Sequence, residues 1–221
     1  MQRKYFGFAF LLVLGMLAAF DGFAKPMNTL CAYDGSYMPQ SEMKASLTVG
    51  GRKLYFCTEA ERDRFAKSAS HALRVLDGKK YQAWVNIIPT DTFFASMKSK
   101  GMGEVDYSHL PKDVSHYLVV SIFDKKTEKK VEDLTHESLI ARFGKVGSKV
   151  KPGAAYWDAM MKYFIVGANL EEGSAYRGSF ELLLPHLSKS GKSDARVHTA
   201  DSFVLTYEVR KPATPITAGK R

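Results

Sequence analysis

The sequence predicts an α+β fold in which a small hairpin–helix unit packs against an antiparallel β-sandwich. Two observations support this fold class. Two short apolar runs flank Gly50-Gly51 and a helical pattern follows them, which is typical of a hairpin that leads into a helix. After Lys80, short apolar segments alternate with Gly, Pro and Lys turns over about 130 residues, which is typical of an antiparallel sandwich.

The chain of 221 residues begins with the layout of a secretory signal peptide. Arg3 and Lys4 form a positive start, Gly7 to Phe20 is apolar, and small residues lead up to Ala24. This layout predicts cleavage after Ala24, and the apolar run is short for a membrane span. We therefore expect residues 1–24 to be removed as a signal peptide. The mature protein is expected to be periplasmic or secreted, with no transmembrane segment after cleavage.

The chain is basic, with a formal net charge of +9. Loss of Arg3, Lys4 and Asp21 with the signal peptide lowers this net charge to +8. The lysines are scattered and do not interleave with aromatic residues as they do in nucleic-acid-binding modules. The positive charge therefore indicates a solvated surface, and we expect no nucleic acid partner.

The first unit is predicted over residues 25–79. Its segment "LTVGGRKLYFC" has the turn and flanking apolar runs of a β-hairpin. Thr58, with Glu61 three residues later, has the spacing of a capping box at the start of a helix. Apolar residues from Phe65 to Leu76 recur at helical spacing, so we expect this helix to continue to Asp77 and Gly78.

The second unit is predicted over residues 80–211. "YQAWVNIIP" predicts a strand, and "TDTFFASMKSKG" predicts a short helix capped by Thr90 or Asp91. Further strands are predicted in "HYLVVSIFD", "ESLIARFG", "KYFIVGANL", "YRGSFELLLP" and "SFVLTYEVR". Residues 212–221 are rich in Pro, Thr and Gly and are predicted to form a disordered tail.

The two cysteines, Cys31 and Cys57, allow two interpretations. Cysteines of exported proteins commonly pair, and this disulfide would close a loop of about 25 residues and contribute roughly 3 kcal/mol in the chain-entropy description. Two thiolates close to the thioethers of Met38 and Met43 would instead suit the soft ion Cu(I). A third possibility combines the two: the thiols form a reversible disulfide and bind metal only when they are reduced.

The segment "C-x2-D-G-S-Y-M", followed by "G-G-R-K-L-Y-F-C-T-E-A-E-R-D-R-F", resembles the YHS domain, a small treble-clef-like metal module. It is also similar to the related module in the copper accessory lipoprotein of nitrous-oxide reductase. The matching residues are Cys31, Met38, Tyr55, Phe56, Cys57 and Phe65. The chain departs from the pattern at Asp34 and Glu61, where the family has cysteines. The resemblance implies a metal site of Cys31, Met38 and Cys57, and the two carboxylates favour copper over structural zinc.

The second half resembles the sandwich domain found in exported proteins with YHS-like or heavy-metal-binding segments. The segments that carry this resemblance include "FFASMKSKGM" and "SHYLVVSIFD". They imply a second metal set of Met97, Met102 and His116, in which thioethers and imidazole are suitable copper ligands. The alternative is that the methionines fill the core. We expect that role for Met160 and Met161 within "YWDAMMKYF".

The sequence indicates a binding protein rather than an enzyme. It contains no G-x-S-x-G or H-E-x-x-H motif, no paired-carboxylate signature and no C-x-x-C pair. The predicted function is periplasmic binding of Cu(I), or its delivery by ligand exchange to an acceptor metalloprotein of the cell envelope. The alternative is a non-metal binding or scaffold module that a Cys31–Cys57 disulfide stabilises.

Overall fold

A computed structural model describes residues 28–49, 51–68, 70–103, 105–150, 152–187 and 193–209. The predicted signal peptide at 1–24 and the predicted tail at 212–221 lie outside the described residues. The described part of the chain is rich in β-strands and has two α-helices among antiparallel sheets. Neither helix is long and apolar enough to cross a membrane.

Two hairpins and a helix form the N-terminal part. Strand β1 (Asn28–Leu30) pairs with β2 (Tyr37–Pro39), β3 (Ala45–Val49) pairs with β4 (Arg52–Phe56), and α1 (Glu59–Lys67) follows. The predicted hairpin of β3 and β4 is confirmed, and Gly51 has the positive φ of 77° that glycine adopts without strain. The predicted capping box is also confirmed. The Glu61 amide donates to the Thr58 hydroxyl at 3.2 Å, and the Thr58 amide donates to the Glu61 carboxylate at 3.0 Å.

Two larger antiparallel sheets form the rest of the fold. The five-stranded sheet has the order β10-β11-β7-β6-β5 and the four-stranded sheet has the order β13-β12-β8-β9. The first contains β5 (Ala72–Asp77), β6 (Tyr81–Pro89), β7 (His116–Asp124), β10 (Ala155–Asp158) and β11 (Tyr163–Ala168). The second contains β8 (Leu139–Lys145), β9 (Pro152–Gly153), β12 (Ala175–Leu187) and β13 (Ser193–Glu208). Helix α2 (Thr90–Ser99) connects β6 towards β7.

One hydrophobic core joins the two larger sheets. Val85, Leu118 and Phe164 of the five-stranded sheet lie in the same buried cluster as Phe180 and Leu205 of the four-stranded sheet. Alternate residues of β6 and β7 face this cluster, as the period of two in a strand requires. This is the arrangement expected of the predicted β-sandwich.

The outer face of the five-stranded sheet carries a further layer. At one end, Phe93 and Met97 of α2 pack on Tyr117 and Tyr163. At the other end, the residues of the hairpins and α1 pack on Leu73 and Trp84 of the sheet; these residues include Cys31, Phe56 and Phe65. The N-terminal hairpins are therefore fixed to the outside of the sandwich.

The helix predicted from Thr58 to Leu76 is wrong beyond Lys67. The Ser68 amide donates to the Arg64 carbonyl at the end of α1, and the chain then forms β5. Both faces of β5 are covered, because Ala72 faces the sandwich core and Leu73 faces the hairpin cluster. A strand covered on both faces has consecutive apolar residues, which sequence periodicity does not distinguish from a helix. The domain boundary predicted at 79/80 therefore falls between the paired strands β5 and β6.

Three smaller expectations also differ from the structure. Met160 is 67% exposed and does not fill the core, because it lies in the turn between β10 and β11, where its amide donates to Asp158. Met161 is half-buried and packs at the edge of the α2 cluster. Neither Thr90 nor Asp91 caps α2, since Thr90 is its first helical residue and its hydroxyl donates to the Val114 carbonyl.

Candidate metal centre

Cys31 lies at the end of β1, at the start of a tight loop that leads to β2. The Cys31 amide donates to the Ser36 carbonyl at 2.8 Å, and the Gly35 amide donates back to the Cys31 carbonyl at 2.9 Å. The Ala32 amide donates to the Tyr55 carbonyl of β4 at 2.8 Å. These bonds fix the Cys31 side chain in a position that is fully buried.

The five-stranded sheet supports this loop from below. Gly35 has a φ of 77°, and a Cβ at this position would lie 3.2 Å from the Val119 Cγ1 of β7. The Asn86 side-chain amide of β6 donates to the Cys31 carbonyl at 3.4 Å. Glycine is therefore required at residue 35 for its backbone conformation and for the close approach of the loop to the sheet.

Cys57 and Glu61 reach the same place from the second hairpin. Cys57 directly follows β4, and Thr58 begins the first turn of α1. The capping box holds the Glu61 carboxylate at the N-terminus of the helix, where its Oε2 lies 3.8 Å from the Cys31 Sγ. The strand end and the helix start therefore direct a thiol and a carboxylate to one point.

Four side chains converge there and form the candidate metal centre. The potential ligand atoms of Cys31, Asp34, Cys57 and Glu61 all lie within 4.8 Å of one another. The Met38 Sδ of β2 lies 3.9 Å from the Cys57 Sγ and adds a third sulfur. Asp34 and Cys31 are buried, whereas Cys57, Glu61 and Met38 are half-buried and give the centre an open side.

The buried Asp34 carboxylate has three further partners. The Lys100 ammonium forms an ion pair with its Oδ2 at 2.6 Å, and the Ser96 hydroxyl donates to the same oxygen at 2.8 Å. The Ser36 amide donates to Oδ1 at 2.9 Å. The Lys100 ammonium also contacts the Ser36 hydroxyl. Burial alone would raise the pKa of Asp34, but the Lys100 charge and these hydrogen bonds lower it below its usual value.

The pKa values of Cys31 and Glu61 are shifted in the opposite direction. The hydrogen bond with the Cys57 thiol, burial and the Asp34 charge raise the pKa of Cys31 far above its usual value. Burial and the Asp34 charge also raise the pKa of Glu61. Without an ion, Cys31 is therefore a neutral thiol at neutral pH, and a cation that binds its sulfur must displace the proton.

Both cysteines are free in the structure. Their sulfur atoms belong to the group of ligand atoms that lie within 4.8 Å of one another. The reduced centre therefore has the geometry for metal binding, and its two thiols are also close enough for an external oxidant to convert them to a disulfide after a small movement.

The second predicted set of ligands is arranged differently. Met97 is buried in the α2 cluster, where the Tyr163 hydroxyl donates to its Sδ at 3.8 Å, and Met102 packs beside it. His116 begins β7, and its Nδ1 lies 2.8 Å from the Ser115 hydroxyl, while its buried Nε2 has no hydrogen-bond partner. Strand alternation places His116 on the face of β7 that meets the sandwich core, opposite the face that contacts Met97. The structure thus places the two methionines together and His116 apart from them.

The structure adds functional candidates that the sequence did not single out as ligands. Asp34 and Glu61 lie at the two positions where the YHS-domain pattern has cysteines, so their spacing from Cys31 and Cys57 was a usable signal. Lys100 had no such signal, because it lies 66 residues from Asp34 and reaches it through the packing of α2.

Comparisons with known proteins give a limited result. No protein-family model matches the chain, and no curated protein matches it. Among solved structures, a copper-bound variant of FetP from uropathogenic Escherichia coli aligns over 62% of this chain and 96% of its own, with 12% identity and a TM-score of 0.37. FetP as isolated from expression in the E. coli periplasm aligns over 62% and 95%, with 10% identity and a TM-score of 0.36. Similarity at this level assigns neither a fold nor a function to this chain.

Proposed function

We propose that this protein binds Cu(I) at the candidate metal centre and transfers it to an acceptor protein in the cell envelope. The observation that carries the proposal is the convergence of two thiols, one thioether and two carboxylates at the open end of the β1–β2 loop. Two thiolates with a thioether are a ligand set that soft Cu(I) prefers. The signal peptide predicted at residues 1–24 supports a periplasmic or secreted location.

The partners of the two carboxylates support copper over zinc. Asp34 is already bound by Lys100, Ser96 and Ser36, and Glu61 accepts the capping bond of α1. Zinc prefers four protein ligands in a closed structural site, so it would compete with these partners for the carboxylate oxygens. Cu(I) can be held by the sulfur atoms alone, which leaves both carboxylates in their present bonds.

The burial of the sulfur atoms supports delivery rather than storage. Cys31 is fully buried, whereas Cys57 and Met38 are half-buried on the open side of the centre. A ligand from an acceptor could approach Cu(I) on this side and replace Met38 and then Cys57. Each step exchanges one sulfur for another, so the ion is never released to solvent. We propose binding and transfer of the ion, and no catalysed reaction.

The experiment is an anaerobic Cu(I) titration of the mature protein against a competing chromophoric chelator. We expect one tightly bound ion in the reduced protein, and loss of this binding after thiol oxidation and in Cys57→Ser. Met38→Leu should weaken binding, whereas the matched control Met160→Leu, at an exposed methionine away from the centre, should not. Binding that survives oxidation and Cys57→Ser would relocate the site, with Met97, Met102 and His116 as the remaining candidates. No binding in any state would refute the proposal.

A second candidate function rests on the closeness of the two free sulfurs. A Cys31–Cys57 disulfide would hold the β1–β2 loop on the start of α1 and make the hairpin layer a rigid binding module without a metal. Thiol counting in the exported protein distinguishes the two functions. A stable disulfide together with the absence of Cu(I) binding after reduction would favour the module.

A further inference from the structure

Ser96 reaches the candidate metal centre from the last turn of α2, and Lys100 reaches it from the C-cap position directly after the helix. They are four residues apart, which places them on the same face of a helix. Both donate to one oxygen of Asp34, Lys100 at 2.6 Å and Ser96 at 2.8 Å. The Lys100 side chain is 23% exposed, while the Asp34 side chain is fully buried. The ion pair is therefore shielded on the carboxylate side, where screening by solvent is weak.

These bonds withhold Asp34 from an ion in the centre. Oδ2 accepts from an ammonium and a hydroxyl, and Oδ1 accepts from the Ser36 amide. An ion that coordinates Oδ2 must displace one of its two donors, and an ion that coordinates Oδ1 must share that oxygen with the Ser36 amide. The positive charge of Lys100 also lies close to both carboxylates of the centre, because it opposes protonation of Glu61 as well as of Asp34 and so favours a lower pKa for each.

We propose that Lys100 determines which ion the centre accepts, by selecting a singly charged soft ion over a doubly charged one. This inference rests on the proposed function, because it concerns the same centre. Coulomb repulsion by Lys100 is proportional to the charge of the bound ion, so Zn²⁺ meets twice the repulsion that Cu(I) meets. Withholding Asp34 removes an oxygen ligand that Zn²⁺ uses readily and that Cu(I) does not require.

If Lys100 had only a structural role, its substitution would change the two ion affinities in a different way. If the ion pair served only to fix the β1–β2 loop on α2, its loss would loosen the centre and weaken both ions. Selection by charge predicts instead that loss of the ammonium strengthens Zn²⁺ binding more than Cu(I) binding. The ratio of the two affinities therefore separates the two roles, because a change in folding alone does not move it in this direction.

The test compares Lys100→Gln with the wild-type protein and with Lys98→Gln. Lys98 is exposed on the same helix, so its substitution removes the same formal charge away from the centre. Dissociation constants for Zn²⁺ and Cu(I) are measured anaerobically with competing chelators. We expect Lys100→Gln to lower the Cu(I)-to-Zn²⁺ affinity ratio by about 10-fold to 100-fold, the range typical of residues that hold metal ligands in place. Lys98→Gln and the charge-conserving Lys100→Arg should keep the wild-type ratio.

Because Lys100→Gln leaves a buried carboxylate without its cation, the same step is repeated in an Asp34→Asn background. There, Lys100→Gln leaves no unpaired charge, and the loss of Coulomb repulsion alone should still lower the Cu(I)-to-Zn²⁺ affinity ratio. An unchanged ratio in both backgrounds, or equal weakening of both ions, would overturn the inference while leaving Cu(I) binding in place. A wild-type protein that binds neither ion would refute the proposed function, and this inference with it.

The absorption spectrum of bound Co²⁺ gives a second readout. Cobalt is a spectroscopic substitute for zinc, and its visible bands report the number and type of its ligands. In Lys100→Gln we expect stronger visible bands of a four-coordinate site with added oxygen ligation, and the added contribution should disappear with Asp34→Asn. Identical spectra in the wild-type and Lys100→Gln proteins would contradict the claim that Lys100 withholds Asp34.

Discussion

Removal of the Asp201 carboxylate is expected to lower the stability of the sandwich by several kcal/mol, about 3–5 in Asp201→Ala. Asp201 lies in β13 and accepts hydrogen bonds from three consecutive backbone amides of the β5–β6 turn. The bonds from Lys79, Lys80 and Tyr81 measure 2.9, 2.8 and 3.0 Å. A Cβ at Gly78 would lie 2.5 Å from the same carboxylate, so the turn closes tightly around it. This side chain therefore ties the two sheets together at one end.

The magnitude follows from these bonds. A hydrogen bond to a charged group contributes about 1.5–3 kcal/mol, but bonds that share one acceptor are not additive. We expect Asp201→Ala to lower the free energy of unfolding by about 3–5 kcal/mol, since it leaves three partly buried turn amides without their charged acceptor. Asp201→Asn retains one acceptor and should cost about 2–3 kcal/mol. Urea unfolding at neutral pH measures both values, with Asp133→Asn as an exposed control of equal charge change.

The pH dependence gives a separate test. Burial opposes the ionised form of Asp201, but the amide bonds outweigh it and lower the pKa of the carboxyl below its usual value. A group with a lowered pKa in the folded state contributes stability above its unfolded pKa and loses it as the pH falls through the folded pKa. The stability difference between wild type and Asp201→Asn should therefore be constant above about pH 5 and shrink below about pH 4. A difference no larger than that of Asp133→Asn, or one that is unchanged in acid, would refute this reasoning.

Three further substitutions test other parts of the structure. Gly35→Ala should destabilise the fold by about 1–2 kcal/mol from its backbone conformation alone and by more from the contact with β7. Gly51→Ala is the control, because Gly51 has the same φ as Gly35 but open space around a Cβ. If both substitutions lowered the stability in thermal unfolding equally, the contact of residue 35 with β7 would contribute nothing. Met97→Ala should cost about 2–5 kcal/mol yet change Cu(I) affinity by less than about threefold, since the Met97 sulfur contacts the Tyr163 hydroxyl in the α2 cluster. A larger loss of affinity than in Met160→Ala would place Met97 in the metal site. Glu61→Ala should cost about 1 kcal/mol through loss of the α1 capping bond, whereas Glu61→Gln should retain most of it in urea unfolding.

The longer strands of the sandwich could be predicted from the sequence because their limits are locally marked. Strands β6 and β7 match the predicted segments at both ends, since each is a mostly apolar run with Pro89 or a lysine-rich turn at its end. Strand β5 was mistaken for helix because its two faces are both buried, and this depends on partners elsewhere in the chain. The short strands β1, β2, β9 and β10 were not predicted, since two to four residues carry too little pattern.

The candidate site was predictable to the extent that its residues are close in sequence. Cys31, Met38 and Cys57 belong to one short pattern, and the structure places Met38 and Cys31 beside Cys57. Lys100 was not predictable because no local rule links the end of α2 to the β1–β2 loop. The sequence grouped His116 with Met97 and Met102 because they are close along the chain. Strand alternation instead places His116 on the face of β7 opposite to the one that contacts Met97.

The packing of the β1–β2 loop on the sheet limits how the centre can be grafted into another protein. The hairpins and the residue that follows them supply the sulfur ligands. Ser96 of α2 and its C-cap residue Lys100 hold Asp34, and Asn86 and Val119 of the sheet support the loop. A peptide that ends at Lys67 would contain every sulfur of the centre and none of these supports. We expect such a peptide to lack a defined ion preference, and a graft of the motif into another host to need the sheet and α2 as well. The smallest part of the fold that can reproduce this centre is thus the whole outer layer together with the sheet beneath it, rather than the cysteine motif.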